Sequence, residues 1–134
     1  ELATVMHNKL PIKIFIYNNG GYLTIKQTQQ LGFKNRIMGS NEESGLSFPN
    51  YRKTADSYGI KYFRINKNSE CKKIIEKVLI NRSPIICELM IDHEQEQMPK
   101  AINRRDKSGK TIAATFEDLY PFLEREEFKS NYLE

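Results

Sequence analysis

Two asparagines and two glycines follow the first apolar run of the chain, in the order Asn18-Asn19-Gly20-Gly21. An asparagine side-chain oxygen and a backbone carbonyl are hard ligands of the kind that Mg²⁺ accepts, and Mg²⁺ commonly bridges to phosphate oxygens. Glycines allow the backbone to approach a phosphate closely, and amides at the start of a following helix favour negative charge. Asn-Gly is also a common turn after a strand, so the motif alone leaves a phosphate-and-metal site and a plain turn open.

The other reactive side chains have simpler interpretations. His7 precedes a turn, and the run Asp92-His93-Glu94 lacks the spacing of a metal site, so we interpret these residues as structural or solvated. Cys87 lies inside an apolar run and is interpreted as a core thiol rather than a nucleophile. The sequence therefore predicts no catalytic residue in this chain.

Composition limits the class of protein. The 134 residues are 28% charged and 39% hydrophobic, which excludes wholesale disorder and collagen-like repeats. No apolar run approaches the roughly 20 residues of a membrane helix, so no membrane partner is expected. The net charge is +4, but the one basic cluster, residues 104–110, contains Gly, Ser and Asp and is typical of a solvated loop, so no nucleic-acid partner is expected. The cysteines Cys71 and Cys87 indicate reduced thiols and a cytoplasmic location.

Apolar periodicity and turn residues predict alternating helices and strands. The first helix covers residues 1–8, and Asn50 and Gly59 are expected to begin and end a later one. Asn68 or Ser69 is expected to cap the long helix that follows. The other predicted elements are strands Ile12–Tyr17, Ile60–Ile65 and Pro84–Ile91, helices Tyr22–Leu31, Tyr51–Tyr58 and 68–81, a loop over 33–50, and an irregular tail with helices Phe116–Leu119 and Glu124–Tyr132.

This order predicts an α/β fold, with a parallel sheet covered by helices on both faces. Three strands make a thin sheet, so we expect further strands upstream of Glu1. Ligands of such sheets bind at the carboxyl ends of the strands, which is where Asn18 to Gly21 fall. The predicted organisation is a binding domain over residues 1–100 and a tail over residues 101–134.

Four segments of the chain, residues 1–23, 49–60, 83–89 and 98–100, carry motifs that can be compared with a known family. Together they resemble the thiamine diphosphate-dependent enzymes of the acetolactate synthase and pyruvate decarboxylase group. Residues 1–23 resemble the second half of the family's cofactor motif, which starts with Gly-Asp-Gly and ends in Asn-Asn. The later segments keep the family's order and spacing: residues 49–60 are similar to its Pro-Asp-Phe to Ala-Tyr-Gly segment, 83–89 to its Gly-Pro-x-x-x-Glu strand, and 98–100 to the loop after it. The resemblance covers roughly residues 1–100 and implies the C-terminal, cofactor-binding domain, with its Gly-Asp-Gly upstream of Glu1.

The resemblance also implies a ligand set. Asn19 would ligate Mg²⁺ through its side chain, the Gly21 carbonyl would be a second ligand, and the upstream aspartate would be the third. The metal would hold the diphosphate of thiamine diphosphate, with amides near Tyr22 and Leu23 helping. The residues expected to bind the cofactor are Asn19, Gly20, Gly21, Tyr22 and Leu23.

The function implied is that of a fragment of an enzyme acting on a 2-keto acid, as an acetolactate synthase-like carboligase (transferase) or a decarboxylase (lyase). Its partners would be the rest of its own polypeptide and a second subunit, in a homodimer or tetramer. Because the glutamate that activates the cofactor lies in another domain, this chain alone is expected to be inactive. Ile25 stands about where pyruvate decarboxylases have a catalytic glutamate, and Thr28 about where acetolactate synthases often have a tryptophan. The alternative is a small non-catalytic α/β binding or interaction module.

Overall fold

A computed structural model of the chain describes residues 1–106, 108–113 and 115–131. The chain divides into two compact units, residues 1–95 and 96–134. Among the described residues, no helix has the length and apolar character needed to cross a bilayer.

The first unit alternates helices with strands, as the sequence predicts. Its elements in chain order are helix α1 (Leu2–His7), strand β1 (Lys13–Asn18), helix α2 (Leu23–Gly32), a 3₁₀ turn (Glu42–Ser44), helix α3 (Tyr51–Ser57), strand β2 (Lys61–Ile65), helix α4 (Asn68–Leu79) and strand β3 (Ile85–Met90).

The three strands form one parallel sheet in the order β1-β3-β2. Ile85, at the start of the central strand, pairs with Lys13 on one side and Lys61 on the other. All three strands therefore end at the same edge of the sheet, and Asn18 of β1 pairs with Met90 of β3 at that edge.

Both faces of the sheet are covered, which confirms the predicted α/β class. On one face Val78 of α4 packs in a cluster with Ile65, Ile85 and Cys87. On the other face Ala55 of α3 clusters with Ile60 and Ile86, and Leu2 and Met6 of α1 pack against them. Cys87 is fully buried and burial raises the pKa of its thiol, so it is a core residue, as its sequence context predicts.

The cap residues predicted from the sequence are confirmed for α3 but not for α4. The Asn50 side chain accepts a hydrogen bond from the Lys53 amide, and Gly59 after the helix has a φ of +66°, as predicted. The prediction that Asn68 or Ser69 caps α4 is wrong, because both lie inside the helix. The Glu70 carboxylate instead accepts hydrogen bonds from the Asn66 and Lys67 amides, at 3.0 and 3.2 Å.

The second unit contains an antiparallel pair, β4 (Arg104–Arg105) with β5 (Thr111–Ile112), and a helix α5 (Arg125–Ser130). The prediction of an irregular tail up to Phe116 is therefore wrong. The Asp106 side chain closes the turn between the strands by accepting from the Ser108 and Lys110 amides. The expected solvated loop is this turn, although Lys107 lies outside the described residues.

The predicted helix over Phe116–Leu119 is also wrong, since residues 116–118 form bends and Leu119 has no regular structure. Tyr120 exchanges two backbone hydrogen bonds with Lys100, and the Asp118 carboxylate accepts two from the Arg125 guanidinium at 2.7 and 3.0 Å. The pairing with Lys100 places Tyr120, just after the bends, in an isolated antiparallel bridge instead of a helix. The last predicted helix is confirmed over α5, and its expected end at Tyr132 lies outside the described residues.

Candidate functional site

A tight turn joins the carboxyl end of β1 to the start of α2. The Asn18 side-chain oxygen accepts a hydrogen bond from the Gly20 amide, and the Asn19 side-chain oxygen accepts one from the Gly21 amide, both at 3.2 Å. Asparagine side chains commonly bond the backbone two residues on in this way. We call residues 18–21 the asparagine–glycine turn. The Asn19 oxygen, which the sequence predicts to bind a metal, keeps a second lone pair for another partner.

The two glycines leave room for neighbouring groups that a side chain would displace. Gly20 has a φ of +69°, and a Cβ there would lie 2.6 Å from the His93 ring. A Cβ on Gly21 would lie 2.3 Å from the Ser40 carbonyl oxygen. His93, which the sequence suggests is structural or solvated, therefore lies against the asparagine–glycine turn.

The loop before the 3₁₀ turn also packs against the asparagine–glycine turn. The Tyr22 amide donates to the Ser40 carbonyl at 2.7 Å, and the Ser44 hydroxyl accepts from the Ser40 and Asn41 amides. The Ser40 hydroxyl is fully buried and has no hydrogen-bond partner among the described residues. The Tyr22 amide is therefore already bonded within the protein, and the first amide of α2 is that of Leu23.

These walls enclose a cavity of about 110 Å³ at the carboxyl edge of the sheet. The lining is mostly polar and includes all five residues that the sequence suggests for cofactor binding. The lining residues are Asn19, Gly20, Gly21, Tyr22, Leu23, Lys26, Ser40, Asn41, Glu43, His93 and Glu94.

Lys26 brings a positive charge to this cavity. Its side chain is 18% exposed, and its ammonium group lies 2.6 Å from the carboxylate of Glu94, whose side chain is 75% exposed. Such an exposed partner is exchangeable, since surface ion pairs contribute only about 0–1 kcal/mol.

The donor set suits a phosphate held by a hard cation. Asn19 and Gly21 offer amide and carbonyl oxygens, and Lys26 with the amino end of α2 offers positive potential. The described residues contain no group of three or more His, Cys, Asp or Glu side chains that could hold a metal ion. A cation here would draw the rest of its ligands from the bound anion, from water or from other protein groups.

A buried carboxylate lies behind the asparagine–glycine turn. Glu88 on β3 is 6% exposed, and its two oxygens accept hydrogen bonds from the Asn18 side-chain amide and from the Tyr62 hydroxyl. We call Tyr62, Glu88 and Asn18 the carboxylate network. In the sequence, Glu88 falls only within the segment that is similar to the family's Gly-Pro-x-x-x-Glu strand, and no sequence pattern connects it to the asparagine–glycine turn.

The carboxylate network should make the free energy of unfolding decrease at alkaline pH. Burial, then the hydrogen bond to Glu88 and its charge, raises the pKa of Tyr62 to about 12, whereas an unfolded tyrosine has a pKa of about 10. Because the folded state holds this proton more tightly, the stabilisation is complete below about pH 10 and is lost as the pH rises toward 12.

We therefore expect Tyr62→Phe to flatten the decline in the free energy of unfolding between about pH 10 and 12, as measured by urea denaturation. Tyr17→Phe is the control, because Tyr17 is 69% exposed and forms no part of the network. Matching alkaline profiles for Tyr62→Phe and the unmodified protein would contradict the assignment.

Comparison with known proteins decides the family. Residues 1–89 match the model of the C-terminal thiamine pyrophosphate-binding domain of thiamine pyrophosphate enzymes. The chain belongs to this family. The asparagine–glycine turn and most of its surroundings fall within the matched residues, whereas His93 and Glu94 lie just beyond them.

The curated relatives include several acetolactate synthases. The mitochondrial enzyme of Schizosaccharomyces pombe is 30% identical over 99 residues, which are 74% of this chain and 14% of that protein. The large subunit from Cyanidium caldarium is 30% identical over 74% of this chain and 17% of its own length. The enzyme of Arthrospira platensis is 24% identical over 81% of this chain. The chain thus spans about 14 to 18% of the length of these relatives.

Two positions singled out by the family resemblance lie away from the cavity of this thiamine pyrophosphate-binding domain. Ile25 is 45% exposed, and the Thr28 hydroxyl donates to the Thr24 carbonyl within α2. Both residues line a shallow depression along α2 that Phe33 also borders. Within the part of the chain that the structure describes, neither residue forms a hydrogen bond with the asparagine–glycine turn.

Proposed function

We propose that this domain binds the diphosphate of thiamine diphosphate, together with Mg²⁺, at the asparagine–glycine turn. The observation that carries the proposal is the position of that turn. Two glycines and the Asn19 side-chain oxygen line a polar cavity at the carboxyl edge of a parallel sheet, directly before α2. The family to which the chain belongs supports thiamine diphosphate as the ligand.

Each residue of the proposed site has a separate task. The Asn19 side-chain oxygen and the Gly21 carbonyl bind Mg²⁺. The Leu23 amide and the positive end of α2 stabilise the diphosphate, and Lys26 adds a charge once it exchanges its Glu94 partner for the anion. Because Gly20 has no side chain, the His93 ring can pack directly against the turn.

The whole polypeptide, in this proposal, acts on a 2-keto acid. The bound cofactor supplies the thiazolium chemistry, while the protein supplies position and electrostatics. The acetolactate synthases among the relatives favour carboligation as the reaction. Ile25 stands about where pyruvate decarboxylases have their catalytic glutamate, and this argues against simple decarboxylation of that type. The remaining groups of the site come from other parts of the polypeptide and from a second subunit.

Calorimetric titration tests the proposal on the full polypeptide that contains these residues. Thiamine diphosphate should bind saturably with Mg²⁺ present and much more weakly when the metal is removed by a chelator, because the metal bridges protein and diphosphate. A parallel assay with pyruvate should yield a carboligation product in addition to carbon dioxide. Cofactor binding that is absent, or unaffected by Mg²⁺, would overturn the proposal and favour a non-catalytic α/β module.

A further inference from the structure

The carboxylate network connects the central strand to the turn proposed to bind the cofactor. Among the residues that the structure describes, Glu88 is one of three buried polar or charged residues, alongside Ser40 and Asp118. A buried carboxylate is costly unless its oxygens are hydrogen-bonded, and both Glu88 oxygens have partners on neighbouring strands. Asn18 and Tyr62 lie on β1 and β2, on opposite sides of β3. The network therefore crosses the sheet diagonally, from Asn18 at the carboxyl end of β1, through Glu88, to Tyr62 near the start of β2.

The two ends of the Asn18 side chain have different partners. Its amide nitrogen donates to Glu88, and its oxygen accepts from the Gly20 amide at 3.2 Å. An asparagine side chain is nearly symmetric in shape, so only its partners decide which end is oxygen. A carboxylate accepts and cannot donate while it is ionised. Glu88 therefore requires the Asn18 nitrogen on its own side, and this leaves the oxygen for Gly20.

The Tyr62 hydroxyl completes this arrangement by donating to the other oxygen of Glu88. Two arginines act on this tyrosine: the Arg52 guanidinium lies 6.0 Å from its ring centroid, and Arg64 contributes positive potential to it. The carboxylate is thus held between a donor on each side.

We propose that Glu88 is a positioning residue for the cofactor turn. It orients the Asn18 amide so that the Asn18 oxygen holds the Gly20 amide, and this fixes the backbone that presents Asn19 and Gly21. Glu88 acts through Asn18 and contacts no ligand itself. The consequence for cofactor affinity rests on the proposed function, whereas the consequence for the shape of the turn does not.

A donor–acceptor exchange tests the proposal in the full polypeptide. Asn18→Asp places two acceptors against each other, so the affinity for thiamine diphosphate with Mg²⁺ should fall roughly tenfold. Glu88→Gln still offers Asn18 an acceptor and should change the affinity no more than about threefold. The double variant restores a donor opposite the new carboxylate, and its affinity should return to within about threefold of the unmodified protein.

Hydrogen exchange at the Gly20 amide gives a second measurement that needs no cofactor. With selective glycine labelling, exchange at Gly20 should accelerate roughly tenfold in Asn18→Asp and recover in the double variant. Exchange at Gly32, remote from the network, is the internal control and should stay constant.

Two results would overturn the proposal. One is a double variant whose cofactor affinity and Gly20 exchange rate are both the same as those of Asn18→Asp. The other is an Asn18→Asp variant that melts at a lower temperature yet keeps its cofactor affinity and its Gly20 exchange rate, since a purely structural role would have that signature. If the unmodified protein fails to bind the cofactor, the proposed function is wrong, and the exchange rates alone still decide the role of Glu88.

Discussion

Replacing Gly21 with alanine should lower the affinity of the full polypeptide for thiamine diphosphate and Mg²⁺ by roughly tenfold to a hundredfold. The added Cβ would lie 2.3 Å from the Ser40 carbonyl oxygen and 3.2 Å from the Asn41 Cβ, and the nearer obstacle is backbone. Overpacking of this kind typically costs about 1–3 kcal/mol. The backbone can relieve the contact only by moving Gly21 away from Ser40, and both residues line the proposed site.

Gly32→Ala is the matched control for Gly21→Ala. A Cβ at Gly32 would meet no heavy atom within 4 Å, and the residue lies at the end of α2, away from the cavity. Because alanine is the better helix former by about 1 kcal/mol, this variant should bind the cofactor normally and melt at the same or a higher temperature. Calorimetry and thermal unfolding compare the two variants. Unchanged cofactor binding by Gly21→Ala would show that the turn does not carry the site.

Asn19→Ala should have a comparably large effect, through chemistry rather than shape. The substitution removes the side-chain oxygen proposed to bind Mg²⁺ and the hydrogen bond to the Gly21 amide. Loss of a group that only supports a metal ligand typically costs about 10–100-fold in affinity. Loss of a ligand itself should cost at least that much. Titration with thiamine diphosphate at fixed Mg²⁺, and with Mg²⁺ at fixed cofactor, measures both affinities.

Asn81→Ala separates the metal role of Asn19 from its role in the turn. The Asn81 side-chain oxygen accepts from the Ser83 amide at 2.9 Å, in the same two-residue pattern as Asn19 and Gly21, but it lies before β3. Each substitution should cost about 1 kcal/mol of stability through its lost hydrogen bond. Only Asn19→Ala should weaken Mg²⁺-dependent binding. Equal affinities for the two variants would argue that Asn19 is a turn residue alone.

Much of the fold is determined by local sequence patterns. The apolar runs before Asn18, over Ile60–Ile65 and after Pro84 specify strands, because strands buried on both faces need near-continuous apolar residues. Asn50 and Gly59 mark the limits of α3 through bonds and dihedrals that involve only their chain neighbours. The asparagine–glycine turn belongs to the same class, since both of its asparagine bonds span two residues.

The tail shows where local patterns stop being sufficient. The pairing of β4 with β5 depends on a turn at Asp106 that composition marks only as a solvated loop. Residues 116–119 have helical propensity, but the Tyr120 backbone bonds to Lys100, twenty residues earlier in the chain. Tertiary pairing overrides so short a helical signal, because an isolated helical turn is costly to nucleate.

The site itself was only partly determined by the sequence. Asn19, Gly20, Gly21, Tyr22 and Leu23 are contiguous, so their composition could indicate a phosphate-and-metal site. The other residues that line the cavity are distant in the sequence. Ser40 and Asn41 come from the loop before α3, and His93 and Glu94 come from beyond β3.

Only the order β1-β3-β2 brings these parts together. Because β3 pairs with β1, Glu88 lies beside Asn18 and His93 lies beside Gly20, although each pair is about seventy residues apart in the chain. Strand order is set by how whole helices cover the two faces of the sheet, and no local pattern encodes it. The sequence by itself therefore determined the asparagine–glycine turn, and the packing of the sheet decided which side chains hold and cover it.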